Sequence, residues 1–210
     1  PLHWRTWFGD IQIIKNFVLE VRYFFIIYLL FQGAMLIDFA LDSQELTYIK
    51  LHLQLSDQDY GLIVSLTGVG LIAGSFFATL CAKKIALKYY LGAGMFLTAV
   101  SYLFFFTSIN FITATAAFIS VGFFISFANA GYATFFQNNV PAHIMGRFGS
   151  MAEIVQGIIQ ITLTLLLGFL AEAFSLQMIC LLFATSGVFL AMILFFACMP
   201  DTKAEYFREK

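Results

Sequence analysis

The sequence predicts an all-α membrane protein with six transmembrane helices. Of its 210 residues, 61% are hydrophobic and only 11% are charged, whereas a soluble domain is about half apolar and a quarter charged. The apolar residues fall in six runs, each long enough for a helix that crosses about 30 Å of hydrocarbon. Because the runs are too long for strands, lack period-two alternation and must bond their backbone groups internally, we expect helices.

The six runs set the expected organisation of the chain. They occupy residues 23–41, 60–82, 89–109, 111–136, 150–171 and 176–199. Residues 1–22 mix Trp, Phe and Ile with charged residues, which predicts a cytoplasmic amphipathic lead-in, either a structural entry to the first helix or a separate lipid-binding segment. Residues 200–210 are a predicted cytoplasmic tail. The first residue is Pro1 rather than Met, so the chain is expected to be a fragment of a longer protein.

Basic residues predict the orientation of the six helices. Six crossings put both termini on one side, and every Lys and Arg except Lys50 falls on that side. Since Lys and Arg are enriched in cytoplasmic loops, both termini are predicted to be cytoplasmic in a multi-pass protein of the cell membrane. The other loops are acidic and carry Asp42, Glu45, Asp57, Asp59 and Glu172.

Polar side chains divide the six helices into two kinds. The third and sixth are nearly plain, whereas the other four carry stripes of polar or small residues at helical spacing. The stripes include Gln32 and Asp38; Ser126 and Asn129; and Glu153, Gln156 and Gln160. Polar groups at membrane depth usually face a cavity or a bundle interior, which predicts four lining helices braced by two peripheral ones. The alternative is that the stripes only pack helices together, as expected of Gly68, Gly70 and Gly74.

Sites of most other kinds are not expected. His3, His52 and His143 lie outside the predicted helices, and no Cys or His spacing indicates a metal. No His-Glu-x-x-His pattern, membrane-depth aspartate pair or serine with a nearby base is present, so neither an enzyme nor a cofactor is predicted. The net charge of -1 gives no sign of nucleic-acid binding.

Three short stretches carry a resemblance to a known family. They are LSDQDYGLIVSLTGVGLIAG at residues 55–74, VPAHIMGRFGS at residues 140–150, which contains Arg147, and the basic loop with Lys83, Lys84 and Lys88. In these stretches the chain resembles the C-terminal half of a major facilitator superfamily transporter, of the bacterial drug- and macrolide-efflux type. The basic loop lacks the acidic residue and the Gly of the family's loop motif, so it supports cytoplasmic anchoring rather than gating.

The resemblance implies half of a twelve-helix fold, built from two inverted three-helix repeats. It implies a secondary active transporter that exports hydrophobic or amphipathic small molecules by alternating access, driven by protons. The partners would be the lipid bilayer, the small-molecule substrate and a missing N-terminal six-helix half. The transport-path candidates are Gln32, Asp38, Ser126, Asn129, Glu153, Gln156 and Gln160.

Several alternatives remain open at this level. Asp38 is either a proton carrier or a helix-end residue in water, and Glu153 either couples protons or pairs with Arg147 near the cytoplasmic end. The chain could also be a half-protein that does not transport, or the product of a truncated gene. An intramembrane enzyme is the remaining rival.

Overall fold

Six long helices make up most of the structure. The computed structural model describes residue 12 and residues 14–208, and within them six helices are long and apolar enough to cross a membrane. They are α1 (Arg22–Asp42), α2 (Asp57–Cys81), α3 (Leu87–Phe106), α4 (Phe111–Asn139), α5 (Ala142–Ala173) and α6 (Leu176–Cys198). The predicted all-α fold with six membrane-spanning helices is therefore confirmed.

Shorter helical pieces flank and connect the long ones. A two-turn helix, Glu45–Leu51, lies between α1 and α2, and a 3₁₀ helix, Asp201–Phe207, follows α6. Of the predicted amphipathic lead-in, residues 1–11 and 13 lie outside the described residues, whereas residues 14–20 are helical. Residues 209–210 of the tail also lie outside them.

Side-chain caps fix the starts of α2 and α4. The Ser56 hydroxyl accepts a hydrogen bond from the Asp59 amide at 3.2 Å, and the Asp59 carboxylate accepts one from the Ser56 amide at 3.0 Å. Asn110 and Thr113 form the same reciprocal pair at the start of α4, at 2.9 and 3.2 Å. These capping boxes satisfy amides that have no partner within the helix.

Helix α5 begins earlier than the apolar run that predicted it. The chain is extended at Val140, and Pro141 precedes the first helical residue, Ala142, a position that suits proline because the first turn needs no amide donor. The helix has 32 residues, or about 48 Å at 1.5 Å per residue, and so exceeds the hydrocarbon thickness. Hydropathy detects only the part inside the bilayer.

The helix contacts repeat between the two halves of the chain. Helices α2 and α3 pack on α4, just as α5 and α6 pack on α1, and α3 and α6 pack on each other. Exchanging α1–α3 with α4–α6 therefore reproduces these main contacts, although the smaller α1–α3 and α5–α6 contacts have no counterpart of similar size. This is the pattern expected of two related three-helix units in the bundle.

Helix α2 packs more closely on α4 than α5 packs on α1. A Cβ atom added to Gly70 or Gly74 on α2 would lie 2.2 or 2.3 Å from a backbone carbonyl oxygen of α4, so the two backbones touch. On α5, by contrast, a cavity lies between the helix and α1. Helix α2 is thus held tightly, and α5 lies against α1 with a gap between them.

The two ends of the bundle differ in charge. We call the end that holds residues 82–86, residues 140–141 and the 3₁₀ helix the basic end, and the end that holds residues 43–56, 107–110 and 174–175 the acidic end. At the acidic end, the buried Tyr48 hydroxyl donates a hydrogen bond to the Phe106 carbonyl at 2.8 Å, which fixes the α1–α2 connection against α3.

Residues after α6 fold back over the basic end. Phe207 is buried and stacks on Phe135 of α4 at 5.2 Å between ring centroids. The Asn139 amide donates a hydrogen bond to the Tyr206 carbonyl at 2.9 Å, and the Tyr206 ring lies 5.0 Å from that of Tyr23. The 3₁₀ helix therefore ties the first turn of α1 to the last turn of α4.

Candidate functional site

Two amides join α1 to α5 near the middle of the bundle. The Gln32 amide nitrogen donates a hydrogen bond to the Gln156 side-chain oxygen at 3.0 Å, and the Tyr28 hydroxyl lies 3.5 Å from the same nitrogen. Both glutamines are half-buried. The structure thus brings together two of the predicted transport-path residues that lie far apart in sequence.

The other polar residues of α5 lie on one side of Gln156. Glu153 is exposed, and the half-buried Gln160 donates a hydrogen bond to the Thr164 hydroxyl at 3.4 Å. The Gln160 side-chain oxygen is buried without a hydrogen-bond partner. An unpaired buried oxygen is costly, so this residue has unused hydrogen-bonding capacity at membrane depth.

An apolar cavity of about 610 Å³ lies on the opposite side of Gln156, between α1 and α5. It is the space that remains because these two helices are not closely packed. Apart from Tyr28, Gln32 and Gln156, the side chains that line it are apolar, among them Phe25, Leu36, Phe148 and Ile159. The glutamine pair therefore stands between an apolar cavity and a polar helix face.

Asp38 is removed from water. It is 3% exposed, and one of its carboxylate oxygens is buried without a hydrogen-bond partner. The interpretation of Asp38 as a helix-end residue in water does not agree with this burial. An ionised carboxylate there would lack both water and a counter-charge, which is energetically expensive.

A hydrogen-bonded acidic cluster lies one turn beyond Asp38, at the acidic end. The Tyr102 hydroxyl of α3 donates to the Asp42 carboxylate. Glu45 interacts with Asp42 and with the hydroxyl of Tyr60. Burial, with a smaller contribution from the neighbouring Asp42, raises the pKa of Glu45 to about 9. The pair Asp42 and Glu45 therefore holds a shared proton at neutral pH.

Ser126 and Asn129 of α4 have separate environments. Ser126 is buried, and its hydroxyl lies 3.0 Å from the Leu71 carbonyl of α2 and 3.0 Å from the Gly122 carbonyl of its own helix. It belongs to the α2–α4 contact. Asn129 is exposed on the face of α4 that the bundle leaves uncovered.

The three predicted packing glycines also separate. Gly70 and Gly74 meet α4 backbone, but Gly68 has nothing within 4 Å of an added Cβ. Two residues rotate a helix by about 200°, so Gly68 and Gly70 cannot face the same neighbour. The expectation that Gly68 packs a helix is therefore not met among the described residues.

The predicted basic residues all lie at the basic end. Lys83, Lys84 and Arg147 are exposed. Lys88 is ion-paired with Asp201, with 3.3 Å between the ammonium nitrogen and a carboxylate oxygen. No group of three His, Cys, Asp or Glu side chains in residues 12 and 14–208 is arranged to hold a metal ion.

Sequence reasoning missed Tyr102 and Tyr60. The third helix was taken as nearly plain, yet Tyr102 contacts Asp42 from 60 positions away. A tyrosine within an apolar helix usually needs a hydrogen-bond partner for its hydroxyl, and this was the available signal. The identity of that partner follows only from the packing of α3 beside α1.

The sequence as a whole matches a family model. The model for the Major Facilitator Superfamily covers residues 23–209, which is nearly all of the six-helix bundle. The chain belongs to the major facilitator superfamily. Members of this superfamily are transporters and not enzymes, so the chain is a multi-pass membrane protein of the transporter type. Comparisons with curated proteins and with solved structures gave no match.

Proposed function

We propose that this major facilitator chain is the C-terminal half of a proton-coupled exporter of hydrophobic or amphipathic small molecules. The uncovered polar face of α5 is the main support. Glu153 and Gln160 lie on a helix with almost no buried surface in its spanning part. Polar groups at membrane depth need a watery cavity or a partner, and a second six-helix half across a substrate path supplies both.

The surroundings of the glutamine pair support an amphipathic substrate. On one side of Gln156 is the polar stripe, and on the other is the apolar cavity of about 610 Å³. Binding sites for small molecules are mostly apolar with a few placed polar groups. An amphipathic substrate would place its apolar part in the cavity and its polar part against Gln32 and Gln156.

Asp38 is the favoured proton carrier. A carrier must exchange a proton between a closed and an open environment, and Asp38 is closed off in this structure whereas Glu153 is exposed. Asp42 and Glu45 lie one turn and more beyond Asp38, at the acidic end. With the basic end in the cytoplasm, as the positive-inside rule predicts, protons would enter from outside through these residues and drive export.

Transport in membrane vesicles tests this function. The complete reading frame should add six hydrophobic segments before Pro1, and the protein it encodes should export ethidium, an amphipathic dye, under an imposed pH gradient. Asp38→Asn removes the proton-binding group and should slow pH-driven export by about 100-fold or more, the scale of losing a proton-transfer group. Ethidium efflux at several external pH values measures this effect.

Two further variants make the test specific. Glu172→Gln neutralises an exposed carboxylate at the acidic end and should export like the parent protein. Glu153→Gln distinguishes the roles of the two carboxylates. If transport and its pH dependence are unchanged in this variant, Glu153 lines the path but does not carry the proton. Unimpaired pH-driven export by Asp38→Asn would exclude Asp38 as the carrier, and an inert parent protein would contradict the exporter assignment.

A further inference from the structure

A crevice opens at the basic end between α2 and α3. It encloses about 1010 Å³ and ends at the loop that joins the two helices. Both helices pack on α4, but they meet each other chiefly through the Tyr90 hydroxyl, which donates a hydrogen bond to the Ala78 carbonyl at 2.5 Å. The space between α2 and α3 is therefore open along the surface of the bundle.

Three cations surround the mouth of this crevice. Lys83 and Lys84 come from the α2–α3 loop, and Arg208 comes from the end of the 3₁₀ helix. The Asn138 side chain donates a hydrogen bond to the Arg208 carbonyl at 3.3 Å. Together with the buried Phe207, this contact holds the arginine backbone at the mouth.

The charge at the mouth is not neutralised by the described part of the chain. No acidic residue lines the crevice, and Lys83, Lys84 and Arg208 form no ion pair within residues 12 and 14–208. The neighbouring Lys88 differs, since it is paired with Asp201. Three unpaired cations around one opening favour an anion there.

The inner wall has a different chemistry. Two of its hydroxyl groups donate to backbone carbonyls: Thr79 to Ser75 at 2.9 Å, Thr134 to Ala130 at 3.0 Å. They have no further proton to offer an anion. From Ala82 to Ser75 the wall extends along α2 for about 10 Å, in the direction of the bilayer interior. The crevice thus combines a cationic mouth with an uncharged wall at membrane depth.

We propose that this crevice binds an anionic phospholipid, with the phosphate among Lys83, Lys84 and Arg208 and an acyl chain along the wall. Basic pockets between transmembrane helices bind such headgroups in the anionic leaflet of a membrane. A free phosphate would occupy the mouth but leave the wall unfilled. The site lies apart from Gln156 and Asp38 and does not depend on the proposed transport function.

Native mass spectrometry of the purified full chain tests the proposal with phosphatidylglycerol and phosphatidylcholine of identical acyl chains. Three surface cations should favour phosphatidylglycerol by about 100-fold. The double variant Lys83→Gln/Lys84→Gln should reduce this preference about 25-fold, at about fivefold per cation. Lys15→Gln removes an exposed charge outside the crevice and should leave the preference close to that of the unmodified chain.

A second pair of variants tests the wall. Ala130→Phe places a ring in the crevice and should weaken phosphatidylglycerol binding, whereas Ala133→Phe places the same ring on an exposed position outside the crevice lining. The proposal is overturned if the lysine double variant keeps the preference of Lys15→Gln. It is also overturned if Ala130→Phe binds like Ala133→Phe, or if millimolar inorganic phosphate displaces the lipid and binds alone equally well.

Discussion

Single carboxylates set the chemistry of the acidic end. Asp38 is buried with an unpaired oxygen, Asp42 accepts a hydrogen bond from Tyr102, and Asp42 and Glu45 share a proton at neutral pH. No Lys or Arg among residues 12 and 14–208 forms an ion pair with these carboxyls. Protonation is therefore the means by which the described chain limits charge in this cluster.

Glu45 makes stability depend on pH. Its pKa is about 9 in the folded chain against an ordinary value of 4.5, so the folded state binds more protons than the unfolded state between these values. The contribution of Glu45 to the free energy of unfolding should be fully present below about pH 4.5 and should be lost as pH rises through 9. The thermal unfolding midpoint of the purified chain in detergent, measured across this range, should fall with pH.

The variant Glu45→Gln provides the comparison. It keeps a side chain of the same shape without a titrating proton, so the fall in midpoint between pH 4.5 and 9 should be smaller than in the parent chain. Glu172→Gln changes an exposed carboxylate and should retain the parent slope. Equal slopes for the two variants would show that Glu45 does not titrate in the manner assigned to it.

At the scale of helices, the α2–α4 contact depends on missing side chains. Gly74→Ala would place a Cβ 2.3 Å from the Phe123 carbonyl oxygen, which requires the helices to separate. We expect a loss of about 1–3 kcal/mol, typical of overpacking. Unfolding of the purified chain by heat measures the change.

Gly68→Ala is the matched control on the same helix. An added Cβ there meets nothing within 4 Å, and replacing Gly by Ala within a helix is worth about 0.5–1 kcal/mol in favour of the variant. The two substitutions should therefore shift the unfolding temperature in opposite directions. A Gly74→Ala chain as stable as Gly68→Ala would refute the close approach of α2 and α4.

These elements show how far the sequence alone could reach. Six apolar runs were enough to predict six helices, because bilayer thickness imposes a minimum length on each. The same reasoning placed the start of α5 at residue 150 rather than Ala142, because hydropathy does not register a helical turn in water. Likewise, glycine spacing could not tell Gly68 from Gly70 without knowing where α4 lies.

The candidate site was predictable in part for the same reason. The stripe Glu153, Gln156 and Gln160 follows from helical spacing within one segment. The Gln32–Gln156 hydrogen bond and the Asp42–Tyr102 pair join residues on different helices, and one sequence contains no signal for which helices are neighbours. Ser126 belongs to a predicted polar stripe, yet its hydroxyl bonds only within the α2–α4 contact. A polar stripe therefore does not by itself identify a residue of the transport path.

For the whole molecule, orientation in the membrane is the property on which the proposed direction of proton entry depends. With the basic end in the cytoplasm, Glu172→Cys should react with a membrane-impermeant maleimide added to intact cells. Lys83→Cys should react only after the cells are opened. Both positions are exposed, so accessibility depends on the side of the membrane.

The parent chain is the baseline for this experiment, because Cys180 and Cys198 are buried and Cys81 is half-buried. Labelling of Lys83→Cys in intact cells, together with protection of Glu172→Cys, would reverse the orientation. The proposed proton entry from outside would then be lost, although the six-helix fold would be unaffected.

The 3₁₀ helix at residues 201–207 also bears on the order in which the protein is made. Helix α1 obtains Tyr206 and Phe207 as neighbours only after the five helices that follow it here have been synthesised. Until then the aromatic residues at the start of α1 lack part of their final surroundings. During synthesis the helices should therefore be inserted before the 3₁₀ helix covers the basic end. In that state the aromatic residues at the start of α1 are accessible to a chaperone at the membrane surface.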